Sequence, residues 1–424
     1  MRRASLLLFL VCTARAERYP FLISQAGEVV ATLEMSSPGS DWAVAGREAA
    51  VASVRVDNRA QQHVVLCTGK PHRYSILLGS LDAGTHELAV ENDPQYAAVH
   101  SGFHVTGAQF RTIVPSDKQY ALYANMPYLF ARKDTIGKFS DVPLLAYCER
   151  LRENGEDVLQ YTVVFSNEDG GTSTRALMAR WGRTTDIEYL YRVVVDDNGR
   201  PRKAVVQGPS HQELEYQGRY DGSHALLMPV TKNNMVGEAS DSPLAFHLAP
   251  VLLNLAGMAR EELMYREPFT YRIAAKELQR EHKLRLFGEV AGENISDPRN
   301  YIYIEYGATH QSSAFTVAIQ LKNGKAYASD LGRLDYSIFR DGWVQTTVEL
   351  PPGTTPTQIA AIEFRCQVAP PSTAAKPLAH SGTCHLDGVR KVFQLTEDYE
   401  PSPSFWNTGK AGAVPTGQSV VFRF

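Results

Sequence analysis

Nothing after the first sixteen residues of this 424-residue chain approaches the roughly 20 consecutive apolar residues of a membrane helix, so no integral membrane segment is expected. No basic run occurs either. Lys plus Arg (43) and Asp plus Glu (46) nearly cancel, and the net charge of -3 gives no footprint for nucleic acid. Cysteines are few, five in all, and none falls in a CxxC or Cys/His spacing suited to zinc. The chain also lacks a Gly-x-Ser-x-Gly elbow, a phosphate-cradling loop and a dinucleotide fingerprint, which argues against the common hydrolase, kinase and dehydrogenase machineries.

The N-terminus carries a definite signal. Arg2 and Arg3 precede the short apolar stretch Leu6 to Val11, and Ala14-Arg15-Ala16 is a small-x-small cleavage site. Residues 1–16 read as a signal peptide, which implies an extracytoplasmic protein, secreted or periplasmic. Of the four cysteines that remain, Cys366 and Cys384 flank a proline- and alanine-rich loop and are the expected disulfide, whereas Cys67 and Cys148 suit free, buried positions in apolar strands.

Period-2 alternation dominates the rest, so the expected class is mainly β and multidomain. "AAVASVRVDN", "HVVLCTG", "YSILLGSL" and "THELAVEN" predict an N-terminal β-sandwich over 17–113. An α+β middle domain is expected over 114–284, with helices in "LAPVLLNLAGMAREELMYR" (248–266) and "IAAKELQREHKLR" (273–285). Strands return over 285–396, with a hairpin at Asn323-Gly324, and the tail 397–424 closes with a strand. "YASDLGRLDYSIFRDGWVQTTVELPPG" followed by "GTCHLDGVRKVFQL" resembles a galactose-binding-like jelly roll of the kind found in carbohydrate-binding modules. That resemblance implies a jelly-roll-like β-sandwich and a glycan or polysaccharide partner. Tyr327 and Trp343 are aromatic candidates for stacking on sugar rings.

Chemistry is sought in "WGRTTDIEYLYRVVVDDNGRP", residues 181–201. Ile187, Tyr189, Tyr191, Val193 and Val195 alternate as one apolar face, which places Asp186 and Glu188 together on the other, roughly 6.5–7 Å apart along the strand. Asp196-Asp197-Asn198-Gly199 offers a hairpin turn. A later run adds His211, Glu213 and Glu215, so neighbouring strands would gather five polar groups on one surface. Two carboxylates can divide acid and base roles, giving Asp186, Glu188, His211 and Glu213 as catalytic candidates, and the same set leaves a divalent metal open as cofactor. Arg183, His224 and Asn233 are candidates for binding. The competing account is a solvated charged face balanced by Arg183, Arg192, Lys203 and Arg219. The functional expectation is an exported protein that binds, and as an enzyme would hydrolyse, polysaccharide or glycan. The alternative is a non-catalytic secreted scaffold or adhesion protein that contacts protein partners.

Overall fold

The computed structural model describes residues 16–98, 102–168, 170–289, 294–369, 382–410 and 412–424. The expected leader therefore lies outside the described residues, apart from Ala16. The chain is mainly β and multidomain, built from facing sheets.

Seven strands form the first sandwich: β1 (Glu17–Ile23), β2 (Gly27–Ser36), β3 (Ala50–Val56), β4 (Arg59–Leu66), β5 (His72–Leu81), β6 (Gly84–Asn92) and β7 (His104–Ile113). One sheet has the order β1-β6-β3-β4 and the other β5-β2-β7. Their inner faces close on Leu33, Val54, Leu66 and Leu88.

The middle region follows with α1 (Tyr120–Ala124), β8 (Tyr128–Phe130), β9 (Pro143–Glu153), β10 (Glu156–Phe165), α2 (Thr174–Trp181), β11 (Asp186–Val195) and β12 (Pro201–Gly208). After these come β13 (Gln212–Glu215), β14 (Tyr220–Asp221), β15 (His224–Pro229), β16 (Val236–Glu238), β17 (Ala245–Phe246), β18 (Val251–Leu252), α3 (Glu262–Arg266) and α4 (Phe269–Arg280). A six-stranded sheet runs β13-β12-β11-β10-β9-β18, and a smaller one runs β14-β15-β8-β17 with β16 beside β15.

The six-stranded sheet is covered on both faces. Leu159, Tyr161, Val163 and Phe165 of β10 look toward Leu129, Leu227 and α1. Val164, from the opposite face, packs with Tyr147, Leu263, Tyr271 and Leu278 under α3 and α4. Spacing on α4 explains its place between two cores: Tyr271, Ala275 and Leu278 enter one, and Phe269 and Ile273 enter the other. The buried Glu277 of α4 accepts from Trp42 Nε1 at 2.9 Å and so ties the first sandwich to the helix.

The last sandwich contains β19 (Tyr301–Gln311), β20 (Ser313–Leu321), β21 (Ala326–Ala328), β22 (Gly342–Glu349), β23 (Ile359–Val368), β24 (Thr383–Phe393), β25 (Gly412–Pro415) and β26 (Ser419–Arg423). Its sheets are β22-β19-β24-β25 and β21-β20-β23-β26, joined across the core by Cys366–Cys384 with a Cα separation of 5.8 Å. Cys67 and Cys148 are free and buried.

Two local expectations are corrected. The stretch 248–266 is helical only at its end: Val251 and Leu252 pair in parallel with β9, and Asn254 Oδ1 then accepts from Ala256 N in a turn that leads to Gly257 at φ +75°. Pairing with a sheet edge outweighs the helical spacing there. The apolar alternation on β11 is also broken. Its register against β10 slips at Tyr161/Thr162, where Leu190 is an extra residue. Ile187 therefore packs under the helices, whereas Leu190, Tyr191, Val193 and Val195 pack between the sheets.

Candidate functional site

The register sets Asp186 opposite Phe165 and Glu188 opposite Val163, so both carboxyl groups point to the face that lies between the two middle sheets. They share a face, as the spacing requires, but it is not a wet one. Asp186 is 1% exposed and Glu188 is half-buried.

The approach to β11 is fixed by α2. Ser173 caps its first turn by accepting from Ala176 N at 3.3 Å. Its last carbonyls receive side chains of β22: Thr347 Oγ1 donates to Met178 O (2.8 Å), which also accepts from Gly182 N (3.0 Å), Thr346 Oγ1 donates to Ala179 O (2.6 Å), and Gln345 Nε2 donates to the Gly182 carbonyl just past the helix (3.0 Å). Gly182 ends the helix at φ +62°, and a Cβ there would meet Gln345 Cγ at 2.8 Å, so the close dock onto β22 requires glycine. Arg183 follows at once, buried, with Nε donating to Glu261 Oε1 at 2.9 Å and the guanidinium also bonded to the Thr185 carbonyl.

Around Asp186 the groups are neutral amides rather than direct cations. Asn234 Nδ2 donates to Asp186 Oδ2 (3.0 Å) and Asp141 Oδ1 (3.1 Å), and Asp141 Oδ2 accepts from Arg132 at 2.9 Å. Asn234 is fully buried in a left-handed conformation, φ +55°, which asparagine tolerates. Gln207 Nε2 donates to Glu188 Oε2 at 3.1 Å and to His211 Nδ1 at 2.6 Å. Asn234 Oδ1 and Gln207 Oε1 are buried without a hydrogen-bond partner, which leaves acceptors within this group. Arg260 donates to the Ile187 carbonyl at 3.1 Å.

Desolvation has a clear consequence here. Burial, then the charge of Glu188, pushes the Asp186 carboxyl well above the usual carboxylate range. Burial also raises Glu188, opposed by Arg260, Arg183 and the Gln207 amide. The third acid is Glu168, in the loop that leaves β10. Burial and the nearby Asp186 push it up to about 7. A strand and a loop thus deliver three carboxyls to one end of the middle region, and the β15–β16 turn brings the Asn234 amide to them, with Glu168 and Glu188 the two acids that reach solvent.

The expected five-membered surface does not form. His211 is exposed but reaches the cluster through Gln207. Glu213 lies elsewhere, accepting from Arg192 (2.7 Å) and Tyr189 (3.0 Å), because Tyr189 and Arg192 lie on the face opposite to Asp186 and Glu188. Glu215 is exposed on the edge strand. Among the described residues no group of three or more His, Cys, Asp or Glu side chains is placed to hold a metal ion.

The binding candidates scatter. Asn233 only accepts from Thr231 Oγ1 at 2.7 Å, and its neighbour Asn234 is the residue in the cluster. His224 is buried and lines a separate cleft. Tyr327 and Trp343 are half-buried and lie on different sheets of the last sandwich; Tyr327 packs edge-on to Phe287. Sequence reading missed Glu168, Gln207, Asn234 and Arg260. Glu168 sits in "SNEDGG", which reads as an ordinary acidic turn, and the other three are brought in only by tertiary packing. No helix among the described residues is long and apolar enough to cross a membrane. No protein-family model matches the chain, and a search of curated proteins finds no similar sequence.

Proposed function

We propose that the protein binds glycan or polysaccharide outside the cytoplasm and hydrolyses it at the Glu168–Asp186–Glu188 cluster. The observation that carries this reading is the cluster itself: three carboxyls held together without a direct salt bridge among the described residues, two of them open to solvent. Glu168, protonated up to about pH 7, is suited to give a proton to a glycosidic oxygen. Glu188, with Gln207 and two arginines opposing its upward shift, is suited to take a proton from water on the other side. Asp186 is too buried to touch substrate; burial keeps Glu168 in its acid form, and Asp186 adds to that where it is ionised. The substrate class rests on the export signal and on the carbohydrate-module resemblance of the last sandwich.

The test is release of reducing ends from a panel of polysaccharides by the purified protein between pH 4.5 and 8. Glu168→Gln and Glu188→Gln should each lower the rate by roughly 10²- to 10⁴-fold, and wild-type activity should fall above about pH 7 as Glu168 loses its proton. No release from any polysaccharide, or wild-type rates in both variants, leaves the scaffold alternative in its place.

A further inference from the structure

A concavity of about 570 Å³ opens where the first sandwich meets the middle region, and none of the three cluster acids lines it. Its volume lies in the range of small-molecule sites. One wall comes from β2, β5 and the β3–β4 turn, the other from α1, β8 and the β14–β15 turn.

The charge balance of the lining is acidic. Glu28, Asp57, Asp82 and Asp221 contribute carboxylates, against Arg59 and two histidines. Asp57 is already committed to His86, Oδ2 to Nδ1 at 2.7 Å. Among the described residues no lysine or arginine lies within ion-pair distance of Glu28, Asp82 or Asp221. Tyr120 and Tyr128 supply aromatic surface beside these acids.

Glu28 gives the feature that solvated surface carboxylates lack. Its side chain is 3% exposed, and Oε2 is buried without a hydrogen-bond partner. The titratable group within ion-pair distance of it is His224, with Nε2 at 3.4 Å. His224 Nδ1 lies 2.8 Å from the Met126 carbonyl, which can only accept, so Nδ1 carries a proton. In the neutral ring Nε2 is then an acceptor, and it faces another acceptor. A buried unpaired carboxylate oxygen is costly, and a donor with two N–H bonds to spare would satisfy both atoms at once.

We propose that this cleft binds a small organic cation with more than one protonated amine. One ammonium donates to Glu28 Oε2 and His224 Nε2 at the floor, its alkyl chain lies against Tyr120 and Tyr128, and a second ammonium meets Asp221 and Asp82 at the rim. Cation–π contact with the tyrosines and the absence of competing basic residues at these three acids favour an amine over an anion or a neutral sugar.

Spermidine is the probe. Calorimetric titration and thermal unfolding of the whole protein at pH 7.5 should show saturable binding and a concentration-dependent rise in Tm that sodium chloride of matched ionic strength does not reproduce. Asp221→Asn, at an exposed position, should weaken binding roughly tenfold, and Glu28→Gln roughly a hundredfold. Glu188→Gln should bind as wild type does, which separates this cleft from the carboxylate cluster. Should Glu28→Gln fail to fold by circular dichroism, Asp221→Asn and Asp82→Asn carry the test. No saturable binding between pH 6 and 8, or equal affinity in wild type and the folded rim variants, overturns the proposal.

Discussion

Two acidic groups in this molecule are buried and end in opposite states. Glu262, at the start of α3, accepts from Arg390 (2.7 Å), Lys391 (2.7 Å) and Arg266 (2.9 Å). Burial alone would raise its carboxyl, but those three charged donors outweigh it and hold the group down at about 2. Glu168, Asp186 and Glu188 meet arginines only at a distance, the guanidinium of Arg183 being spent on Glu261 and a carbonyl and that of Arg260 on the Ile187 carbonyl, and burial prevails. Direct contact with three cations is what separates Glu262 from the cluster acids, although at Glu305, which also accepts from Arg390, burial still prevails.

Each group can be pushed toward the other's behaviour. The largest effect is expected for Glu262→Ala, which takes from Arg390 and Lys391 their closest acid and leaves them only Glu305. Urea unfolding at pH 7 should show a loss of about 3 kcal/mol. In wild type the Glu262 contribution is fully present above about pH 4.5 and is lost as pH falls toward 2, so the deficit of the variant should shrink on acidification.

Glu168 predicts the reverse slope. Its folded-state value lies above its unfolded one, so its contribution is fully present below about pH 4.5 and is lost as pH rises through 7. Relative to wild type, Glu168→Gln should therefore gain about 3 kcal/mol in urea unfolding between pH 4 and pH 8. A flat difference would show that Glu168 is paired after all. The smallest effect belongs to Glu213→Ala. Its partner Arg192 keeps Glu153, and the pair is largely solvated, so a change under about 1 kcal/mol is expected, diminished further in 1 M salt.

Much of the scaffold was legible because short-range rules govern it. Alternation located most of the long strands, Asn323-Gly324 and Asp196 to Gly199 make the turns their residue types favour, and the Cys366–Cys384 bridge follows the flanking loop. The cluster was legible in part. The two-residue spacing put Asp186 and Glu188 on one side of β11, yet it could not show that the six-stranded sheet is covered twice, which turned an expected wet face into a desolvated one. α2 was missed although Ser173 and Gly182 bracket it, because what anchors its end, the threonines of β22, lies more than 160 residues away. Asn234 rather than Asn233 enters the cluster for a similar reason: the choice between adjacent asparagines is made by a turn geometry that residue type does not encode.

The extra residue on β11 reaches further than its own position. Asp186 and Glu188 are even-numbered and Tyr191, Val193 and Val195 odd-numbered, yet all five look to the same side, because Leu190 changes the strand's parity midway. One strand can thereby present acids to the interior at one end and aliphatic side chains at the other without crossing its sheet. Deleting Leu190 would restore simple alternation and, with β12 and β13 held in register, turn Ile187 and Tyr189 inward in place of the two acids. The carboxylate cluster is in that sense an arithmetic product of a single inserted residue.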